Sequence, residues 1–422
     1  MKQLIILILL IPVIVFPGML NAQIKSANKL YGELKYAKAI PFYLKVVNSK
    51  KAQNKQEATV KLADCYRLTN KHQVAAKWYE KALEYDGNDA VVYYNYGNVL
   101  RTLGNYQSAR QQFQRYLKSV PHDVRAQKYL RYCEEISRWK NLKPVASIKN
   151  ASSLNSAYSD FSPVVYKSGI VFVSDRNVDE LDNNNFYWTG NGYLKLFYSP
   201  RLDSMRYATP AMLSKQFNQA YHNGPVCFNS AQNKVYITRT EKHKRYKKDS
   251  VQTHFSFIAE LDLSESKSTG AYFAHNSNLY STGHVALSAD GKKMVFASNK
   301  PGGLGESDLY YCELQNNEWT TPLNLGEQIN SFGNEFFPSF KNDSTLFFAS
   351  DGHMGYGGLD LFVSILKDGQ WQEPENLKAP LNSSYDDFSI VFTEKSHGIF
   401  SSNRPEGKGQ DDLYFFQLDN DE

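Results

Sequence analysis

FASNKPGGLGESDLYYCEL (residues 296–314), FASDGHMGYGGLDLFVSIL (348–366) and FSSNRPEGKGQDDLYFFQL (400–418) are one phrase written three times at an interval of 52 residues. Phe296, Phe348 and Phe400 are in step, as are Gly305, Gly357 and Gly409, and Asp308, Asp360 and Asp412. Further along each copy Trp319 matches Trp371, Asn324 matches Asn376 and Asn330 matches Asn382. Each phrase is an apolar run, a Gly-rich loop and a second apolar run, the composition of strand, loop and strand. A strand-rich unit recurring about every 50 residues predicts the blades of a β-propeller.

Outward from these copies the pattern weakens but persists. In the copy over 331–381 the strands are expected at 335–340, 344–350, 360–366 and 370–377. Inner strands are expected to start near Asp160, Asn223, Gly283, Glu335 and Asp387, which counts five blades, with six as the alternative. Blade one carries an Asn- and Gly-rich insertion over 175–192, and blade two a basic one over 241–249. The last blade lacks a fourth strand. KPVASIKNASSLNSAYSDFSPVV from Lys143 parallels EPENLKAPLNSSYDDFSIVF from Glu373, so residues 144–155 are expected to supply that strand and close the array. Closure of this kind removes an unpaired edge.

A second period lies upstream. Ala63 and Gly97 are 34 residues apart, as are Ala75 and Ala109, Tyr79 and Phe113, and Gly87 and Pro121. A 34-residue helix–turn–helix period predicts tetratricopeptide repeats. Small residues (Ala63, Gly97, Ala75, Ala109) fall where helices cross closely, large ones (Leu62, Tyr66, Tyr79, Phe113) fill between repeats, and Asn70-Lys71 and Gly104-Asn105 make the turns. An earlier copy carries Ala39 and Tyr43, with Pro41 predicting a kink or a late helix start. A helix over 124–139 is expected to cap the stack. The domain reading is therefore a signal peptide over 1–22, a tetratricopeptide domain with its capping helix over 23–140, and a propeller over 141–422.

Charge divides along the same line. Lys and Arg outnumber Asp and Glu by 12 over 24–140, and acids exceed bases by 8 over 141–422, within a net charge of +5. Opposite signs at the two ends favour partners of opposite charge. Lys2, an apolar run over 4–16, the breakers Pro17-Gly18 and Leu20-Asn21-Ala22 predict a secretory signal peptide cut after Ala22. The expected location is periplasmic, with outer-membrane association. Cys65, Cys133, Cys227 and Cys312 fit no zinc spacing and read as buried free thiols.

Catalytic signatures are missing from the sequence. Asp308, Asp360 and Asp412 open equivalent strands after equivalent loops, so they read as structural loop caps rather than catalytic acids. PGGLG and GYGG are followed by a strand and no Lys-Ser/Thr, unlike phosphate loops. There is no HExxH and no GxSxG. Asp175-x-Asn177-x-Asp179 hints at calcium, but Glu180 stands where an EF-hand loop needs Gly. No cofactor or metal is expected. The run Lys242, Lys244, Arg245, Lys247 and Lys248 reads as a solvated loop or as a contact for an acidic partner or an anionic surface glycan or lipid. Nucleic acid is not an expected partner of an exported chain.

The helical segment resembles tetratricopeptide proteins, in which the first helix of each pair lines a concave groove for peptides or partner helices. Carried over, the resemblance puts Asn28, Tyr31, Asp64, Arg67, Tyr94, Asn98 and Arg101 in that groove. Ser288-Ala289-Asp290-Gly291 and the following MVFASN resemble the WD40-like Pro-Asp propeller repeats. The order signal peptide, tetratricopeptide stack, Pro-Asp propeller resembles the PorE-like periplasmic proteins of the type IX secretion and gliding apparatus of Bacteroidetes. Those proteins usually continue into an OmpA-like peptidoglycan-binding domain, which this sequence does not contain. The resemblance implies a non-enzymatic adaptor beside an outer-membrane protein of the secretion or surface-adhesin machinery. The alternative is a propeller enzyme or binding module acting on envelope glycan or peptide.

Overall fold

A computed structural model of the chain describes residues 17–50, 52–139, 142–176, 185–240, 255–264 and 270–419. Most of the expected signal segment and the whole basic run from Lys242 to Lys248 lie outside them. A seven-helix tetratricopeptide region is followed by a five-bladed β-propeller. The helices are α1 (Pro17–Gly32), α2 (Tyr36–Val47), α3 (Lys55–Leu68), α4 (His72–Ala82), α5 (Ala90–Thr102), α6 (Tyr106–Ser119) and α7 (Val124–Trp139). No helix among the described residues is long and apolar enough to cross a membrane.

The chain forms two compact units. One comprises the residues up to Asn88 together with Tyr187–Thr189, and the other the remainder. In the first, Ala27, Ala39, Tyr43, Ala58 and Leu62 are buried where α1, α2 and α3 meet. The helix-to-helix turns place Leu34 and Asn70 at φ +58° and +56°. Helix α2 starts at Tyr36 and runs through Pro41 to Val47, so the expected late start does not occur. No side chain caps α2. Instead the Ala37 N–H donates to the Trp188 carbonyl (3.2 Å), while the Trp188 indole donates to Leu68 O at the end of α3 (2.8 Å). One tryptophan thus satisfies a bare donor and a bare acceptor at two helix ends. Its ring meets Tyr36 edge-on at 4.8 Å.

In the second unit the strands are β1 (Ala146–Asn150), then β2 (Asp160–Tyr166), β3 (Gly169–Ser174), β4 (Lys195–Pro200) and β5 (Ala211–Met212) in blade one. Blade two holds β6 (Asn223–Phe228), β7 (Lys234–Thr240), β8 (Ser256–Asp262) and β9 (Ala271–Tyr272). Blade three holds β10 (Thr282–Leu287), β11 (Lys293–Ser298), β12 (Asp308–Gln315), β13 (Glu318–Trp319) and β14 (Leu323–Asn324). Blade four holds β15 (Glu335–Asn342), β16 (Thr345–Ser350), β17 (Asp360–Lys367), β18 (Gln370–Trp371) and β19 (Glu375–Asn376). Blade five holds β20 (Asp387–Phe392), β21 (His397–Ser402) and β22 (Asp412–Leu418), with β1 as its outer strand. β1 and β22 run antiparallel, with Ala146 opposite Leu418 and Asn150 opposite Tyr414.

Alternation along the second strand of each blade packs the ring. Phe172 joins Ile399 and Leu413 of blade five, while its neighbours Val171 and Val173 join Val226 and Val235 of blade two. The three remaining seams have equivalent clusters, so every blade is buried on both faces. A clamp asparagine repeats in all five blades. Asn218, Asn276, Asn330, Asn382 and Asn155 each bond both backbone groups of a residue near the start of a third strand, namely Leu196, Ile258, Leu309, Leu361 and Leu413. Each comes from the linker into the next blade, so the clamp ties blade to blade.

Helices α5–α7 belong to the same unit as the propeller. Gly97 lies against Phe113, where an added Cβ would come within 2.8–3.0 Å of the ring. Tyr129 meets Phe332 at 5.6 Å, the Tyr132 hydroxyl donates to Gly352 O (3.3 Å), Arg125 pairs with Glu306, and Trp139 meets Tyr356 at 5.1 Å. The helix over 124–139 therefore packs its aromatic face on the loops of blades three and four.

Candidate functional site

The expected helical groove separates into two parts. In the first unit Asn28 accepts from the Tyr43 hydroxyl (2.8 Å) and Lys61 (3.1 Å) and donates to Glu57 (2.9 Å). Tyr31 stacks edge-on with Tyr36 (5.3 Å) and Tyr43 (6.4 Å). Asp64 is 8% exposed and accepts from the Tyr79 hydroxyl (2.5 Å) and Arg67 (3.3 Å). These polar residues bond to one another across consecutive helices. Asn28, Tyr31 and Arg67 remain partly exposed beside them.

In the second unit Arg101 turns inward, while Tyr94 and Asn98 stay partly exposed. Arg101 is 5% exposed, its guanidinium 4.2 Å from the centre of the Tyr129 ring. Tyr94 packs against Phe113, Tyr116 and Tyr129, and Asn98 donates to Tyr94 O (3.1 Å). Arg101 thus contributes to the core between helices and blades and is not presented to an outside partner. The physical reason is that the aromatic face of α7 meets the propeller loops and covers Arg101.

The repeated acids grip their loops. Asp308 accepts from the N–H groups of Leu304 (2.6 Å) and Gly305 (2.9 Å) and from Asn324 (2.7 Å). Asp412 accepts from Lys408 N–H, Gly409 N–H (3.2 Å) and Asn150 (3.2 Å). Blade four departs from this pattern. Asp360 accepts from Gly357 N–H (3.1 Å), but Asn376 turns to Met354 O and leaves one Asp360 oxygen buried without a partner. Burial, with the Asp387 charge nearby, pushes the Asp360 carboxyl up to about 8.

At the ring's axis the inner strands bulge. Ser162, His284, Phe337 and Ser389 have φ between +51° and +54°, and Gly224 takes the positive φ in blade two. The bulge frees an N–H for the neighbouring blade: Ser162 donates to Ser401 Oγ and His284 to Thr238 Oγ1, each at 2.9 Å. Aromatic rings gather there. Phe337 stacks on His284 (4.2 Å) and meets Phe388 (4.7 Å), and Phe161 lies 5.9 Å from Phe388. Desolvation pushes the His284 imidazole down to about 4, so it is neutral at physiological pH. The axis is an apolar aromatic cluster rather than a ring of acids.

Sequence reasoning passed over the residues beside the clamp asparagines. Arg176 and Arg404 end the in-step phrases FVSDR and FSSNR, and each bonds linker carbonyls and the carboxylate that opens its inner strand, Asp160 or Asp387. That repeated Arg was visible in the sequence. Asp175, the first residue of the calcium-like triplet, accepts from Ser159 N–H and Asn191, each at 2.8 Å, while Asn177 and Asp179 lie outside the described residues. Among the described residues no cluster of His, Cys, Asp or Glu is arranged to hold a metal. Among the described residues, cavities open on the propeller at two places. One of about 410 Å³ lies by Lys167, Tyr207 and the Arg201–Glu394 pair, and the other, of about 270 Å³, by His275, Thr282 and Lys300.

The tetratricopeptide repeat family matches residues 57–120. No curated protein matches the chain. Among solved structures, a puromycin-hydrolysing peptidase of Mycobacterium tuberculosis is 10% identical, with 62% of this chain and 46% of that one covered, at a TM-score of 0.36. A glycosyl hydrolase from Bacteroides ovatus is 10% identical over 65% of this chain and 92% of that one, at 0.37. An α-L-arabinofuranosidase from Lactobacillus brevis is 12% identical over 62% and 90%, at 0.39.

Proposed function

We propose that the protein is a non-enzymatic adaptor that binds protein partners in the periplasm, in type IX secretion, gliding or surface-adhesin assembly at the outer membrane. Tetratricopeptide repeats joined to a propeller are a combination suited to binding and scaffolding. The observation that carries the non-enzymatic part is the use of the acids. Asp308 and Asp412 direct their oxygens to loop amides and an asparagine, and the rings of Phe161, His284, Phe337 and Phe388 gather at the axis. General acid–base chemistry needs a carboxyl free to reach a substrate proton. The periplasmic setting rests on the sequence of residues 1–22 and on the resemblance in domain order.

The test is turnover by the purified full chain on envelope glycan and peptide libraries. Product formation is expected to stay at the buffer background. Turnover that disappears in a single-residue variant of a cavity residue would overturn the adaptor reading in favour of an enzyme.

A further inference from the structure

Four blades fill one position in a common way. The carbonyl just before the clamp asparagine accepts from a side chain at the end of the second strand: Leu154 from Arg176 (2.8 Å), Phe217 from Arg239 (3.1 Å), Ile329 from His353 (2.8 Å) and Leu381 from Arg404 (2.9 Å). In blades one and five the guanidinium also pairs with the buried Asp160 or Asp387 and lies over two rings, Phe172 and Phe197 or Phe400 and Tyr414.

Blade three keeps the frame and lacks the filling. Lys300 N–H bonds Ser298 Oγ (3.2 Å) just as Arg176 N–H bonds Ser174 Oγ (3.1 Å) and Arg404 N–H bonds Ser402 Oγ (3.2 Å), so the turns are equivalent. The rings are also kept, as Phe296 and Tyr310. The carboxylate is not: its place is taken by Thr282, whose hydroxyl donates to Asn276 (2.6 Å). The arginine is replaced by Lys300, whose ammonium stands 6.0 Å from the Tyr310 ring centre and, among the described residues, forms no ion pair. A cavity of about 270 Å³ remains between Lys300, Thr282, Ser298, His275 and the two rings. Beside its lining residue Tyr280 stands Leu279, 81% exposed.

We propose that this cavity binds a carboxylate borne by an acidic–aliphatic peptide segment of a partner protein. The ligand supplies from outside the acid that blades one and five carry within. Lys300 provides the counter-charge for the carboxylate, and the Phe296–Tyr310 rings shield one side of the pair. A guanidinium is the poorer occupant, because Lys300 repels it and Thr282 offers no acid to receive it. Leu279 favours a peptide over a free small acid, since an exposed leucine gains by being covered. The choice of a protein partner rests on the adaptor reading; the carboxylate preference rests on the cavity alone.

The test uses the purified full chain and fluorescein-labelled, terminally blocked octapeptides with a Leu-Glu core, with Gln or Arg in place of Glu, read by anisotropy. The Glu peptide is expected to bind at least about tenfold more tightly than the Gln peptide, the worth of one charge-assisted hydrogen bond. Lys300→Glu, at a partly exposed position, is expected to abolish that difference with an unchanged circular dichroism spectrum. Thr282→Asp, which restores an internal acid, is expected to weaken binding as well. Equal binding of Glu and Gln peptides, tighter binding of the Arg peptide, or full binding by Lys300→Glu overturns the proposal. Glucuronate or acetate displacing the peptide at the peptide's own Kd would overturn the peptidic source. If the Glu peptide binds but no envelope protein is captured, the cavity stands and the adaptor reading fails.

Discussion

Asn330 holds Leu309 by both of its backbone groups and is 2% exposed. Replacing it with Ala strands a buried N–H and a buried C=O, at about 3 kcal/mol for the pair. Asn330→Ala is therefore expected to lower the urea midpoint of the propeller, and an unchanged midpoint would remove the clamp from the list of what holds the ring. Asp360 makes a second prediction. Its folded carboxyl titrates near 8 against 3.8 for the free group, so over that interval the folded state holds a proton that the unfolded state has lost. Stability from this group is full at low pH and falls as pH rises, by up to about 1.4 kcal/mol per unit. Glu335 and Asp411, pushed up to about 7 by burial, act in the same direction. Asp360→Asn, which keeps the shape without the charge, is expected to flatten the loss between pH 5 and pH 8 in urea titrations; an identical slope in the variant would refute the assignment. The three in-step aspartates were legible in the sequence as a set. The odd behaviour of Asp360 was not, because it depends on Asn376 turning to Met354, and Asn376 looks identical to Asn324 in sequence.

Strand β1 shows how far a sequence pattern reaches across a chain. The shared Leu-Asn-Ser and Tyr-x-Asp-Phe-Ser phrases at 154–162 and 381–389 place it opposite β22, although the two are more than 260 residues apart. Deleting residues 142–155 is expected to expose the β22 edge and remove the Asn155 clamp on Leu413 together, lowering the melting temperature and broadening the transition. A deletion variant that melts as sharply and as high as the full chain would show that β1 is dispensable. Trp188 is the counterpart among the helices. Trp188→Ala removes the indole bond to Leu68 O and its ring packing on Tyr36, at about 2 kcal/mol, and is expected to speed amide exchange at the end of α3 and the start of α2. No periodicity could have announced this, since Trp188 lies in the blade-one insertion where the repeat breaks. Nor could the 34-residue period reveal that α5–α7 pack with the propeller. Tyr129 and Tyr132 satisfy a helical stack and a blade surface equally well as apolar positions, and only the fold chooses between them.

At the scale of the whole molecule, two repeat systems with opposite charge meet in one chain. The blades differ where the repeat fails: at the vacant position by Lys300, and at the insertions of blades one and two. Of the helical groove residues, Asn28, Tyr31 and Arg67 in the first unit and Tyr94 and Asn98 in the second stay partly exposed, whereas Arg101 is buried. The most direct measurement is quantitative crosslinking of the full-length protein in native cell envelopes, followed by affinity capture and mass spectrometry against an unrelated exported control. The adaptor account predicts one or a few envelope proteins enriched at least about tenfold, crosslinked reproducibly to lysines of α1–α4 or to Lys300. Recovery of no protein above the control would contradict it.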